Sequence, residues 1–287
     1  MKSVLGDVAA WKAAGRQVAM ARVVEVEGSG PRELGAAMSV NDEGVVSGSV
    51  SGGCVEGAVV TEALAMLAGD RVPRLVTYGI ADEEAFAVGL TCGGTIHVFI
   101  EPVDMSVDTA LLDALRTGEP AVMATVIEGV HPGATMLIRP GIAPLGSLGD
   151  ADLDRVVARD AVGELEANWT GMRNYGPCGE ARRTDVMVFL QSFAAPPRMV
   201  ICGAVDFTAA LAKAAKILGY RVNVCDARAP FATAQRFPMA DEVIVDWPDR
   251  YIAGMEVPLG PRDAICVLTH DPKFDVPAIV AALTTEV

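Results

Sequence analysis

Positive charge, aromatic rings and histidine are all scarce in this chain of 287 residues. Lysine and arginine together number 23 against 37 aspartates and glutamates, a formal net charge of −14. A field of that sign repels phosphate backbones and anionic lipid, so nucleic acid and membrane surfaces are not expected as partners. A local basic or amide-lined pocket can still hold a small anion. No run of about 18 apolar residues without charge exists, which leaves no candidate membrane span. The N-terminus, Met1-Lys2-Ser3-Val4-Leu5-Gly6-Asp7, lacks the apolar core and cleavage site of a secretory signal. Six cysteines without such a signal are expected to be reduced thiols in the cytoplasm. No Cys-x-x-Cys pair, Gly-x-Ser-x-Gly elbow, His-Glu-x-x-His helix or Walker A loop occurs. A structural zinc site and the hydrolase and P-loop chemistries therefore have no footing.

What is abundant is small and apolar. Hydrophobic residues make up 51% of the chain and aromatics only 5%. Alanine, valine and glycine carry much of that content, which suits the close helix–sheet contacts of an α/β fold. Val4, Leu5, Val8 and Trp11 have helical spacing and predict a short helix over 2–14. Strands are expected at 18–26 and 36–40, and a helix from about 55 to 68. Between them lie segments too rich in glycine for regular structure: Gly28-Ser29-Gly30-Pro31-Arg32-Glu33-Leu34-Gly35 and Gly48-Ser49-Val50-Ser51-Gly52-Gly53-Cys54. A third, Thr91-Cys92-Gly93-Gly94, precedes a strand at 95–100.

Residues 118–191 read as a faded copy of 15–101. Met20-Ala21-Arg22-Val23 matches Met123-Ala124-Thr125-Val126. Gly35-Ala36-Ala37-Met38 matches Gly133-Ala134-Thr135-Met136, Gly48-Ser49 matches Gly146-Ser147, and Val98-Phe99-Ile100 matches Val188-Phe189-Leu190. Chance likeness in a Val/Ala/Gly-rich chain is the competing explanation. The copies differ where chemistry would sit. Ser51-Gly52-Gly53-Cys54 has no counterpart, and Thr91-Cys92-Gly93-Gly94 becomes Pro177-Cys178-Gly179-Glu180. The first copy is the better candidate for the active half.

An N-terminal domain is thus expected over 1–193. After the short Ala194-Ala195-Pro196-Pro197 linker, a second domain is expected over 198–287. Its strand at 198–203, helix at 207–218 and strand at 221–226 open a Rossmann-type unit. Only about 90 residues follow Pro197, against the roughly 120–150 of a full Rossmann domain, so this one reads as incomplete. The first turn is altered as well. Gly203 is in place, but Val205 stands where a second glycine would admit pyrophosphate. Asp206 adds negative charge where phosphate would sit. Asp226 is correctly spaced for a ribose hydroxyl.

Beside the Gly203 turn, three groups could carry chemistry. Cys54 and Cys92 are glycine-flanked, so backbone amides of Gly52, Gly53, Gly93 and Gly94 would be exposed and a ligand could approach the thiols. A thiolate there could take a soft metal or a sulfur-bearing ligand. Packing of small residues between two loops would explain the same glycines. Arg32, in a rigid loop, could hold phosphate or carboxylate, or be an ordinary surface arginine. His270 and Asp271 end a predicted parallel strand, the edge at which open α/β sheets bind ligands; helix capping by Asp271 is the alternative. Cys202, Cys225 and Cys266 lie in apolar strands and are expected to pack.

These segments resemble the XdhC/CoxI family. The likeness runs through Gly28-Ser29-Gly30-Pro31-Arg32, Ser51-Gly52-Gly53-Cys54-Val55-Glu56-Gly57 and Gly89-Leu90-Thr91-Cys92-Gly93-Gly94. It continues in Asp226-Ala227-Arg228, Arg236-Phe237-Pro238 and Thr269-His270-Asp271-Pro272-Lys273-Phe274-Asp275. It implies an XdhC/CoxI α/β domain followed by a Rossmann domain. It also implies an oligomeric accessory protein that binds molybdenum cofactor (molybdopterin), assists its sulfuration with a cysteine desulfurase, and delivers it to an apo-molybdenum hydroxylase. Cys54 and Cys92 match the family's cysteine motifs and become the expected molybdenum or sulfur contacts. The family usually carries Gly-Ala-Gly-His where this chain has Gly203-Ala204-Val205-Asp206, which puts NAD(P) binding in doubt. Two other readings stay open: an NAD(P)-dependent oxidoreductase using His270, and a scaffolding partner with no small ligand.

Overall fold

The computed structural model describes residues 1–79 and 93–287, so Cys92 and the residues just before it lie outside the described residues. The chain divides into two compact units, Met1–Ala194 and Ala195–Val287. No helix among the described residues is long and apolar enough to cross a membrane.

The first unit runs α1 (Lys2–Ala13), β1 (Val18–Glu27), β2 (Ala37–Asn41), β3 (Val46–Gly48), α2 (Glu56–Ala68), β4 (Arg74–Tyr78) and β5 (Thr95–Pro102). The same series then returns: α3 (Met105–Thr117), β6 (Ala121–Glu128), β7 (Thr135–Arg139), β8 (Ile142–Gly146), α4 (Ala151–Glu166), β9 (Gly171–Tyr175) and β10 (Val186–Phe193). The strand orders are β3-β2-β1-β5-β4 and β8-β7-β6-β10-β9, so the second sheet reproduces the first strand for strand. Loop contacts repeat as well. Gly35 N donates to Val23 O, and Gly133 N to Val126 O, both at 2.8 Å. Ser49 N donates to Ala37 O at 3.0 Å, and Ser147 N to Thr135 O at 3.1 Å.

Period-two alternation decides what each strand face buries. Ala19, Ala21 and Val23 of β1 pack with Val59, Ala63 and Met66 of α2. In the second half Val122, Ala124 and Val126 pack with Leu153, Val157 and Ala161 of α4. The opposite faces are shared between the halves: Val24 and Phe99 form one buried cluster with Ile127 and Phe189.

The second unit contains β11 (Arg198–Cys202), α5 (Asp206–Ile217), β12 (Arg221–Cys225), β13 (Glu242–Ile244), α6 (Pro248–Ala253), β14 (Ala264–Val267) and α7 (Pro272–Ala282). Its four strands are parallel in the order β13-β12-β11-β14. Met199, Ile201, Val222 and Val224 bury one face with Ala212 and Ala215 of α5. Val200 and Cys202 bury the other with Ile252 and Leu259. The order of strands across the sheet reverses between β11 and β14, which makes their carboxyl ends the switch point of this α/β unit. Cys202 and Cys225 are buried and Cys266 is half-buried. Burial pushes the Cys202 and Cys225 thiols up to about 12, which favours the protonated thiol.

The shared interior of the first unit also holds charge. Arg22 of β1 is fully buried, pairs with Glu101 of β5, and donates to Thr125 Oγ1 of β6 at 2.9 Å. Gln191 of β10 reaches across in the other direction, its Nε2 donating to Gly35 O at 2.9 Å. A Cβ on Gly35 would sit 2.2 Å from that Nε2, so this approach of the two halves requires glycine there. Burial, then the nearby Glu101 carboxylate, pushes the Asp108 carboxyl of α3 up to about 7. An unfolded aspartate titrates near 3.9. Between those two values the folded chain binds more protons than the unfolded one, so stability falls as pH rises from about 4 to about 7. Urea unfolding midpoints are therefore expected to drop between pH 5 and pH 8, and Asp108→Asn is expected to flatten that dependence. Equal pH slopes for the two proteins would contradict the assignment.

Candidate functional site

The loop between β3 and α2 is organised by one carboxylate. Glu56, the first residue of α2, folds back so that Oε1 accepts from Ser49 Oγ at 2.7 Å, Val50 N at 3.2 Å, Ser51 N at 2.9 Å and Gly52 N at 3.0 Å. Its Oε2 accepts from Ser51 Oγ at 2.6 Å and Gly53 N at 2.8 Å. The serine hydroxyls act in both directions: Ser49 Oγ accepts from Gly52 N at 2.8 Å and Ser51 Oγ from Val55 N at 3.0 Å. Burial alone would raise the Glu56 carboxyl, but the bonds from Ser51, Ser49 and the loop amides outweigh it and bring it down to about 2.

Gly52 and Gly53 make this wrap possible with φ of 80° and 124°, a region L side chains avoid. A Cβ at either position would meet nothing within 4 Å among the described residues, so among these it is backbone conformation and not crowding that demands glycine. The expectation that these amides face a ligand is corrected: those of Gly52 and Gly53 donate to Glu56. Glu56 also occupies the first turn of α2, the position where a helix dipole would otherwise act on an external anion. Cys54 is half-buried and packs at the margin of the β1–α2 core.

The second half resolves the same region differently. Asp154 stands where Glu56 does and accepts only from Leu148 N at 2.7 Å among the described backbone donors. Asp150 caps α4, accepting from Asp152 N and Leu153 N, each at 3.0 Å. Thus α4 begins about one turn before the position that matches the start of α2. Where the second half has a capped helical turn, the first has an open loop bearing a thiol. Nearby in the second half, Leu148, Gly149, Asp150, His131 and Cys178 line a pocket of about 230 Å³. The negative charge of Asp150, with slight burial, raises the exposed Cys178 thiol above its ordinary value.

The other glycine clusters divide. Gly94 is a close-approach position: a Cβ there would sit 2.2 Å from Ser29 O, so loop 28–30 lies against the start of β5. Gly93 has φ of 80° and is exposed. Arg32 is exposed, and no carboxylate among the described residues lies within ion-pair distance of it. No three His, Cys, Asp or Glu side chains converge as metal ligands among the described residues.

At the carboxyl edge of the parallel sheet, Asp226 is 2% exposed and fully engaged. It accepts from Ala204 N at 2.8 Å, Arg228 N at 2.9 Å, Arg228 Nε at 2.9 Å and Arg228 Nη2 at 2.7 Å. Burial opposes its ionisation, but these bonds hold its carboxyl below the usual range. The Arg228 guanidinium lies 4.9 Å from the Phe231 ring centre. A Cβ on Gly203 would sit 3.0 Å from Leu268 C and Thr269 N, so the turn packs on its own chain. His270 has φ of 58° and meets the Phe207 ring edge-on at 5.7 Å. Asp271 caps α7, accepting from Lys273 N at 3.2 Å. Gly203, Asp226, His270 and Asp271 thus share one edge, but Asp226 serves the fold and Asp271 the helix.

Two organising residues carried no functional expectation in the sequence, Glu56 and Arg228. The signal for Glu56 was an acid at the helix start preceded by two serines and two glycines, a capping-type pattern drawn back onto the loop.

Comparison with known proteins places these features in a family. The XdhC and CoxI family model matches residues 11–79 and 114–176, one stretch in each half of the first unit, and the XdhC Rossmann domain model matches 199–287. A probable xanthine dehydrogenase subunit from Bacillus subtilis is 28% identical over 90% of this chain and 74% of its own length. The molybdenum cofactor insertion chaperone PaoD of Escherichia coli is 37% identical over 37% of this chain and 29% of its own length. A crystal structure of a Bacillus halodurans xanthine dehydrogenase shares the fold, with a TM-score of 0.68 at 23% identity over 98% of this chain and 79% of that one. With both family models matched in order across both units, this chain belongs to the XdhC/CoxI family.

Proposed function

We propose that this protein is an accessory factor that binds molybdenum cofactor at the Cys54 loop of its first half and passes it to an apo-molybdenum hydroxylase of the xanthine or carbon monoxide dehydrogenase type. One observation carries the reading: the two halves share a fold, yet only the first replaces a capped helical turn with an open, glycine-flanked loop presenting a cysteine. The names of the relatives, a molybdenum cofactor insertion chaperone and a probable xanthine dehydrogenase subunit, support the same direction.

The residues suit such a cargo. Among the described residues nothing lies within 4 Å of a Cβ built on Gly52 or Gly53, which leaves that flank of the loop to a ligand beside the thiol. Arg32 offers a cation for the anionic end of the molecule. The cargo brings a soft dithiolene-held metal and sulfur, for which cysteine is the matching protein donor. In this reading Cys92, with Gly93 and Gly94, completes the pocket. The second half supports that: Cys178, which the repeat aligns with Cys92, lines one pocket with Gly149 and Asp150, which align with Ser51 and Gly52. Assistance in sulfuration, with a cysteine desulfurase as donor, and self-association in the cytoplasm belong to the same proposal.

The competing reading, an NAD(P)-dependent oxidoreductase using His270, fits the residues poorly. The ribose-binding acid is saturated by Arg228 and Ala204 N, and the turn that would cradle pyrophosphate carries Val205 and the exposed Asp206. NAD and NADP titrations are expected to show no saturable binding below about 1 mM, weaker than about −4 kcal/mol; micromolar binding would revive the oxidoreductase. In a host that makes the cofactor, Cys54→Ser is expected to copurify with roughly tenfold less molybdenum and pterin than the parent, a loss of about 1.4 kcal/mol. Its melting temperature is expected to stay the same. Equal molybdenum and pterin contents in the two proteins would remove Cys54 from the site.

A further inference from the structure

The Ser49–Gly53 loop has the form of an anion-binding nest, with four backbone amides and two hydroxyls converging on one point. Loops of this kind ordinarily take the phosphate of a ligand. Here the point of convergence is filled by a side chain of the same chain, with hydrogen bonds of 2.6 to 3.2 Å to both carboxylate oxygens. The second half, where Asp154 reaches a single loop amide, shows that the fold closes without such a nest. The six-donor arrangement is therefore a particular feature of the half that carries Cys54.

We infer that Glu56 is a positioning residue. It is a built-in anion that fills the nest, fixes the conformation of Ser51–Cys54, and so makes the loop meet a ligand through its thiol while excluding the ligand's phosphate from its amides. This deepens the reading of Cys54 as the ligand-facing residue and rests on it. The specificity that follows is for the sulfur-bearing end of a molecule at this loop, with any phosphate held elsewhere. The carboxylate stays ionised at every physiological pH, so the nest does not open by protonation.

The test uses the full chain without cofactor. Alkylation of Cys54 by iodoacetamide is followed by peptide mass spectrometry, because the chain has six cysteines. Glu56→Ala leaves an empty nest and a loosened loop, and Cys54 is expected to react roughly tenfold faster. Acetate at about 100 mM is expected to refill the nest and return the rate toward that of the parent by mass action. Sodium chloride at equal ionic strength is expected to leave it fast. Glu56→Gln keeps the shape but turns an NH₂ group toward donors; it is expected to react faster than the parent and to ignore acetate. If Glu56→Ala fails to fold, the Gln variant carries the test alone. Parent-like rates in the folded variants would overturn the inference. So would a Glu56→Ala rate that acetate leaves unchanged or that chloride restores equally. Because no cofactor is present, this experiment can fail while cofactor retention by Cys54 stands, and the reverse.

Discussion

Each half of the first unit has an inner sheet face that the other half covers. Val24 and Phe99 from one sheet and Ile127 and Phe189 from the other form a single buried cluster. Around it the polar residues are interlocked, with Arg22 reaching Glu101 and Thr125, and Gln191 reaching the backbone at Gly35. The Arg22–Thr125 and Gln191–Gly35 hydrogen bonds cross between the halves, and losing them would leave buried polar groups unpaired. Both halves contribute to this joint and both keep the strand order, while they differ in the polar residues at the joint, Arg22 and Glu101 against Thr125 and Gln191, and in the loops and helix starts.

At the start of α4, Asp150 caps an ordinary helix; at the matching place in the first half, two glycines and two serines abandon a turn of helix to enclose Glu56. One half keeps the scaffold and the other carries an exposed, shaped loop. The C-terminal unit shows a comparable commitment. Along its carboxyl edge Asp226 holds Arg228, and the Gly203 turn rests on the backbone just past β14. The strand order is that of a Rossmann sheet, while the acid spaced for a ribose is already engaged by Arg228 and Ala204 N.

Much of the architecture was legible from period-two and helical spacing. β1, α2 and the β11–α5–β12 opening fall within a residue or two of their expected bounds, because each buries a continuous apolar face that the sequence displays directly. The site was only partly legible. Glycines at 52 and 53 announced an irregular loop, but where its amides point depends on a side chain folding back from the next helix, and spacing alone does not distinguish that from amides turned toward a ligand. Asp226 was recognisable by its distance from Gly203, while its partner Arg228, two residues on, determines what it can bind. Gly94 is glycine for the passing backbone of Ser29, a contact between loops far apart in sequence.

The family relation and the loop chemistry meet at one thiol. Protection of Cys54 tests that junction most directly: alkylation of the parent protein is measured with and without purified molybdenum cofactor, and the modified peptide is quantified. Cofactor seated against the thiol should slow its modification by roughly tenfold or more at saturation, while exposed Cys178 reacts as before. Unchanged modification of Cys54 at saturating cofactor would contradict a binding site at this loop.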